Sequence, residues 1–443
     1  MYFPMFVNLE NKNVVVFGAG KIALRRVNTL INTKCNITVV APEILCDFYS
    51  IKNIKVIKDV YNIKYLKDAF IVLAVTNDNN INNKIYLDCK ENNIIVNVAS
   101  DKNKCDFFFP AILFENNCTI GICGDGENHR LVKNTKNDIQ NFFNEEKVKN
   151  LHIRVGSRES KLAVEQSNIV IRQLKEKYEN INLELITMKT TGDIILNKTL
   201  DKIGGKGLFI KELDKALVEN KTDVSVHSLK DMPMDIDENL PIIAYLKREN
   251  PVDVLILPKG VNTIDINKPI GTSSKRRTFQ LKKIYKDYDF KPIRGNILTR
   301  LEKLDNGEYS ALILAYAGLK RLNLEYRINK VFTSDEVIPG CCQGIIAVQG
   351  KKGQDYSYLS FLNDKHTEYL AKCERAFVRQ SNGGCSLPIS AFAEIENNII
   401  KLKGFYADDN NYIIKEAIGN IEDYENIGIS LANKFKEIIN EKR

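Results

Sequence analysis

Apolar residues in the first hundred positions come in short runs separated by polar stretches. The run Asn13 to Phe17 reads as a strand and is followed directly by Gly18-Ala19-Gly20-Lys21-Ile22-Ala23 and a helical stretch through Leu30. A second strand, Ile37 to Ala41, ends in Pro42-Glu43, and strand-sized runs at Ile71 to Val75 and Ile94 to Val98 alternate with helical segments. Strand and helix in alternation predict an α/β unit built on a parallel sheet.

From Gly124 to Asn150 the chain is polar and rich in Asn and Lys, and the spaced apolar residues Leu131, Ile139, Phe142 and Phe143 predict a helix leading into a linker. The main boundary is expected near residue 150. Beyond it the α/β pattern restarts with a strand at Ile153 to Val155, the N-cap type Ser160, and a helix carrying Leu162, Ile169 and Leu174. Further helices are legible at Phe209, Leu213 and Leu217 and across Ala371 to Val378, with strands at Val224 to Val226, Val254 to Leu257 and Ala311 to Leu314.

Length changes the picture only by forbidding a single domain: 443 residues correspond to roughly three at about 150 residues each. The net charge of +8 is modest, with 56 acidic residues interleaved, so nucleic-acid binding is not indicated. No apolar run reaches the roughly 18 residues that span a bilayer, and no membrane association is expected. The chain contains 10 cysteines without a C-x-x-C pair, and the start Met1-Tyr2-Phe3-Pro4-Met5-Phe6 lacks the pattern of a signal peptide. A reducing cytoplasm is the expected location, and no metal site is expected.

Two features carry candidate chemistry. In the glycine turn, Gly18 and Gly20 permit close backbone approach, and the helix opening at Lys21 and Ile22 points its N-terminus at a pyrophosphate, as in dinucleotide sites. Glu43 then either meets a ribose hydroxyl, which favours NAD over NADP, or is a solvated loop residue. In the second half, Asp231 is the one carboxylate in His227-Ser228-Leu229-Lys230-Asp231-Met232-Pro233. Basic residues coupled to Gly, Ser or Thr recur at Arg154 to Arg158, Gly204 to Gly207, Gly271 to Arg277 and Arg294 to Arg300, with Lys320-Arg321 beside Gly318. Guanidinium forks, hydroxyls and freed backbone N–H groups suit a ligand with several acidic groups.

Val155-Gly156-Ser157-Arg158-Glu159-Ser160, Gly204-Gly205-Lys206-Gly207-Leu208-Phe209, His227-Ser228-Leu229-Lys230-Asp231, Gly271-Thr272-Ser273-Ser274, Arg294-Gly295-Asn296, Gly318-Leu319-Lys320-Arg321 and Gly383-Gly384-Cys385 together resemble the hydroxymethylbilane synthase, or porphobilinogen deaminase, family from about residue 152 onward. The resemblance implies two periplasmic-binding-protein-like lobes, 151–248 with 342–362 and 252–338, and a small α+β domain, 364–443. It implies a dipyrromethane cofactor on Cys385, porphobilinogen as substrate and Asp231 as the catalytic acid. Lys206, Ser273 and Ser274 then contact the cofactor. Arg158, Ser160, Lys230, Arg276, Arg277, Arg294, Arg300, Arg321 and Gln343 bind the pyrrole carboxylates. At Cys342 the family usually has glycine.

The first 148 residues resemble a second family, the precorrin-2 dehydrogenase and sirohydrochlorin ferrochelatase module. The carriers are Phe3 to Val7, the glycine turn, Thr38 to Pro42, Ala74 to Asp78, Asn97 to Asp101 and Cys105 to Pro110. This implies a Rossmann-like unit that oxidises precorrin-2 with NAD and dimerises through the same module. The catalytic aspartate of some members aligns with Ser100, which leaves Asp101 as candidate, and the serine-rich segment is replaced by Gly121 to Gly126. Other readings are an active deaminase with a non-catalytic scaffold or tetrapyrrole-binding module in front, and a non-catalytic anion-binding protein.

Overall fold

The computed structural model describes residues 3–115, 118–124, 128–149, 151–194, 210–381, 388–408 and 411–441. It divides into two compact units, Met1–Phe143 and Asn144–Arg443.

In the first unit, strands β1 (Asn13–Phe17), β2 (Asn36–Ala41), β3 (Ile54–Lys58), β4 (Ile71–Ala74) and β5 (Ile95–Val98) form a parallel sheet in the order β3-β2-β1-β4-β5. The valine-rich β1 is buried on both faces. Val14 and Val16 pack with Ala23 and Val27 of the helix Lys21–Leu30, while Val15 and Phe17 pack with Ile85 and Cys89 of the helix Asn79–Glu91. Alternate side chains thus feed opposite helical layers, which is how a parallel sheet hides a nearly continuous apolar run. Sequence pattern did not mark β3, because it is an edge strand whose residues are exposed or only half-buried. Two antiparallel strands, β6 (Ala111–Glu115) and β7 (Cys118–Ile122), follow.

The second unit begins in the last turn of the helix His129–Val148, where Val148 joins a core with Ile153 and Leu174, and Lys147 pairs with Asp355 at 2.8 Å. One sheet contains β8 (His152–Arg158), β9 (Asn182–Met188), β10 (Val224–Ser228), β11 (Ile242–Tyr245) and β17 (Ile346–Gln349), in the order β11-β17-β10-β8-β9. A second contains β12 (Asp253–Ile256), β13 (Ile270–Gly271), β14 (Phe290–Lys291), β15 (Ala311–Ala315) and β16 (Lys330–Val331), in the order β14-β13-β15-β12-β16.

The chain therefore leaves the first sheet after β11, builds the whole second sheet, and returns as β17, antiparallel to both neighbours. This double crossing produces two lobes joined by two chain passages. A third sheet, β18 (Ile389–Glu396), β19 (Ile399–Ala407) and β20 (Tyr412–Asn420), is antiparallel and packs on the helices Lys365–Gln380 and Tyr424–Glu441 through Phe377, Leu402, Leu431 and Phe435.

Candidate active site

At the start of β12 the carboxylate of Asp253 is fully buried. Burying a charge is costly unless it is paired and hydrogen-bonded, and the helix Lys275–Leu281 supplies the partners. Arg276 Nη2 donates to Asp253 Oδ2 at 2.7 Å, and Arg277 donates to Oδ1 through Nη2 at 2.7 Å and Nε at 3.1 Å. The outer nitrogens reach backbone carbonyls of Ile338 at 2.5 Å and Ile313 at 3.0 Å. Gln343 Nε2 adds a bond to Asp253 Oδ1 at 2.9 Å and another to Pro251 O at 2.6 Å. Burial acts to raise this carboxyl, but the charges of Arg276 and Arg277 and the bonds from Arg277 and Gln343 outweigh it, holding Asp253 well below the usual carboxylate range. Arg276, Arg277 and Gln343, expected to bind substrate, are thus directed to an internal anion where the chain passes between the lobes.

Asp231 occupies the last position of a one-turn 3-10 helix, Leu229–Asp231, directly after β10. Leu229 and Met232 are buried and anchor the turn, leaving Asp231 exposed and Lys230 half-buried. Lys230, Ser228, Gln166 and Leu162 from one lobe face Ala317, Gly318 and Arg321 from the other across a narrow cleft. A Cβ on Gly318 would come within 2.9 Å of Ile297 Cδ1 in its own lobe and 3.7 Å of Leu162 Cδ2 across the cleft, so the helix Tyr316–Arg321 is closely packed at this position.

Burial pushes the Lys230 ammonium down to about 8, with Asp231 opposing the shift and Arg277 adding to it. Arg300, on the helix Ile297–Asp305, donates Nε to Gly295 O at 2.8 Å. Its guanidinium is lowered to about 10 by burial and by Arg277 and Arg294, while Asp231 acts in the other direction. Arg321 donates Nη2 to Gly344 O at 2.6 Å, and burial lowers it to about 10. Arg158 ends β8 half-buried, and Ser160 caps the following helix by accepting from Ala163 N at 3.4 Å. Ser273 Oγ donates to Ile293 O at 2.6 Å and accepts from Ile293 N at 3.0 Å, fixing the loop that leads to Arg294. Ser274 caps the helix of Arg276 and Arg277. Lys206 and Cys385 lie outside the described residues.

In the first unit Gly18 has φ +110°, and a Cβ there would lie 2.5 Å from Val75 O. The backbone therefore requires glycine. At Gly20 a Cβ would meet nothing within 4 Å, and the helix beginning with Lys21 and Ile22 has no side-chain cap. Open space above an uncapped helix start suits an anionic group. Glu43 is exposed, two residues beyond β2. Asp101 accepts from Asn103 N at 3.0 Å and pairs with Lys104 at 3.1 Å, a contact that lowers its carboxyl. Ser100 Oγ accepts from Asn82 Nδ2 at 3.2 Å.

A family model described as "Porphobilinogen deaminase, dipyromethane cofactor binding domain" matches residues 153–358, and one for the "Porphobilinogen deaminase, C-terminal domain" matches 369–437. The porphobilinogen deaminase of Acetivibrio thermocellus is 58% identical over 64% of this chain and 97% of that protein. That of Alkaliphilus oremlandii is 56% identical over 65% of this chain and 97% of that protein. The chain belongs to the porphobilinogen deaminase family. In front of the deaminase, residues 5–111 match a model described as "Putative NAD(P)-binding". A solved structure named "SirC, precorrin-2 dehydrogenase" aligns at 21% identity over 40% of this chain and 92% of that chain, with a TM-score of 0.28, a score at which the likeness decides nothing.

Two residues that organise the deaminase unit escaped sequence reasoning. Gln166 holds Ser228 Oγ at 2.7 Å and lines the cleft, yet a glutamine inside a helix reads as solvated. Asp253 did leave a signal, a carboxylate heading the apolar run Val254 to Leu257, where an acid needs partners to be buried.

Asp253→Asn leaves two guanidinium groups buried without their anion, and should cost about 3–5 kcal/mol of unfolding free energy, measured by denaturant titration of the full chain. Lys230 loses its proton as pH rises through about 8. In the free enzyme kcat/KM for a carboxylate-bearing substrate should therefore decline on that limb, and Lys230→Arg should move the decline to higher pH. An unchanged alkaline limb in that variant removes Lys230 as its source.

Proposed function

We propose that the unit Asn144–Arg443 condenses porphobilinogen into the linear tetrapyrrole hydroxymethylbilane with release of ammonia, and that Asp231 is its catalytic acid. The observation that carries this reading is an exposed carboxylate on the turn after β10, within the electrostatic reach of Lys230 and Arg300 and beside a cleft lined by Lys230 and Arg321. Expelling ammonia from an aminomethylpyrrole requires a proton, and the cation left on the methylene requires an anion until the next pyrrole carbon attacks. One carboxyl serves both needs by giving up a proton and then standing as carboxylate.

Arg158, Lys230, Arg294, Arg300 and Arg321 neutralise the acetates and propionates of the growing chain. Arg276, Arg277 and Gln343 support this site from behind by fixing Asp253, with Ser273 and Ser274 holding the adjoining loops. These donors fit a polycarboxylate cofactor. The dipyrromethane, held through a thioether on Cys385 and contacted by Lys206, supplies the free pyrrole position to which new units join.

For the first unit we infer oxidation of precorrin-2 to sirohydrochlorin, with NAD accepting the hydride. Gly18 and Gly20 shape the turn, Lys21 and Ile22 present backbone N–H groups to the pyrophosphate, and Glu43 takes the ribose. In this reading Asp101, the acid beside Ser100, accepts the proton that leaves as hydride departs. The engagement of Asp101 with Lys104 and Asn103 favours a second reading, a non-catalytic scaffold or tetrapyrrole-binding module.

Intact mass of the full chain beside Cys385→Ala should show a dipyrromethane-sized addition in the parent alone. Asp231→Ala should retain that fold while losing ammonia release by at least a factor of about 100, within the range for removal of a general acid; normal turnover would sink the assignment. For the first unit, Gly20→Ala places a methyl where no protein atom lies within 4 Å and should weaken NAD binding at least tenfold in a titration of protein fluorescence. Binding undiminished in a folded variant overturns the cofactor assignment, and NAD binding by the parent without precorrin-2 oxidation selects the scaffold.

A further inference from the structure

Cys341 and Cys342 are consecutive residues on the return crossing, one half-buried and one buried, with their sulfurs 3.7 Å apart. A disulfide needs about 2.05 Å between sulfurs, so these are two separate thiols. Two thiolates bound at about 2.3 Å to one tetrahedral ion are separated by ~3.8 Å, close to the distance found. Cys342 has φ +57°, a left-handed conformation that favours glycine, so its side chain is presented from a strained position. Among the described residues, Cys341, Cys342 and Glu374 form the one cluster whose ligand atoms all lie within 4.8 Å of one another.

We propose that Cys341 and Cys342 form a binding site for a thiophilic divalent ion of the zinc and cadmium class. Both thiol protons leave to solvent as the two metal–sulfur bonds form, and the pair of thiolates neutralises the dication. Glu374 is not the third ligand. Its carboxylate already accepts from Arg248 Nη1 at 2.6 Å, Ala393 N at 2.8 Å and Cys342 N at 2.6 Å, and so orients the backbone that carries the second sulfur. The remaining positions fall to water or a small thiol on the half-exposed side of Cys341. Oxygen-seeking magnesium and calcium are excluded by the donor set. An ion here would stiffen the segment that continues into Gln343 and Gly344, which hold Asp253 and Arg321.

The test is a cadmium titration of the full chain with its cofactor attached, reduced by a phosphine and followed by thiolate-to-metal absorption in the near ultraviolet. The parent should gain the absorption of one two-thiolate site, which disappears in Cys341→Ser and in Cys342→Gly. The glycine variant suits the local backbone and retains the fold, checked by circular dichroism and turnover, so it decides the matter even where the serine variant does not fold. Absorption of the same stoichiometry and intensity in Cys342→Gly, or none in the parent, overturns the site.

Discussion

An ionised carboxylate without solvent is tolerated only when positive charge and hydrogen bonds surround it, and the deaminase unit organises both crossings between its lobes around one such group. Asp253 opens the first strand after the outgoing crossing, and Gln343 lies on the return crossing. The arginine pair that neutralises Asp253 also reaches Ile313 in β15 and Ile338 before the return. One anion therefore ties the second sheet to both crossings. A well-packed apolar cluster of the same volume would contribute as much or more stability, but it would not impose direction on the guanidinium groups.

The cations nearer the cleft have the opposite character. Lys230, Arg300 and Arg321 are partly desolvated, and burial lowers all three from their ordinary values. Groups held in this state gain by meeting carboxylates, because a bound anion supplies the compensation that water no longer gives. Asp231, exposed on a short turn anchored by the buried Leu229 and Met232, is positioned by packing without being enclosed by it. Rigid support and solvent access together suit a group that must exchange a proton repeatedly.

Much of the secondary structure was legible. β1 spans the run Asn13 to Phe17, β15 covers the run Ala311 to Leu314 and ends at Ala315, and the helix Lys365–Gln380 contains the periodic stretch Ala371 to Val378. These segments are buried on both faces or along one stripe, so composition and geometry agree. β3 was not legible, because a half-exposed edge strand lacks that contrast. The dipeptide-length strands β13, β14 and β16 were missed as well, since two residues carry no period.

The sequence by itself determined the α/β class, the glycine turn, the family motifs and the clustering of basic residues with glycine and hydroxyls. These are local matters, decided by side-chain type, backbone freedom and spacing along the chain. Only the tertiary structure decided which arginines face inward. Arg276 and Arg277 stand beside each other in a motif rich in donors, and nothing in their spacing distinguishes them from Arg294 and Arg300. Asp253 and Gln343, 90 residues apart, make the distinction, because a buried anion recruits whichever cations the fold brings to it, and that meeting depends on long-range chain crossing that no local pattern encodes.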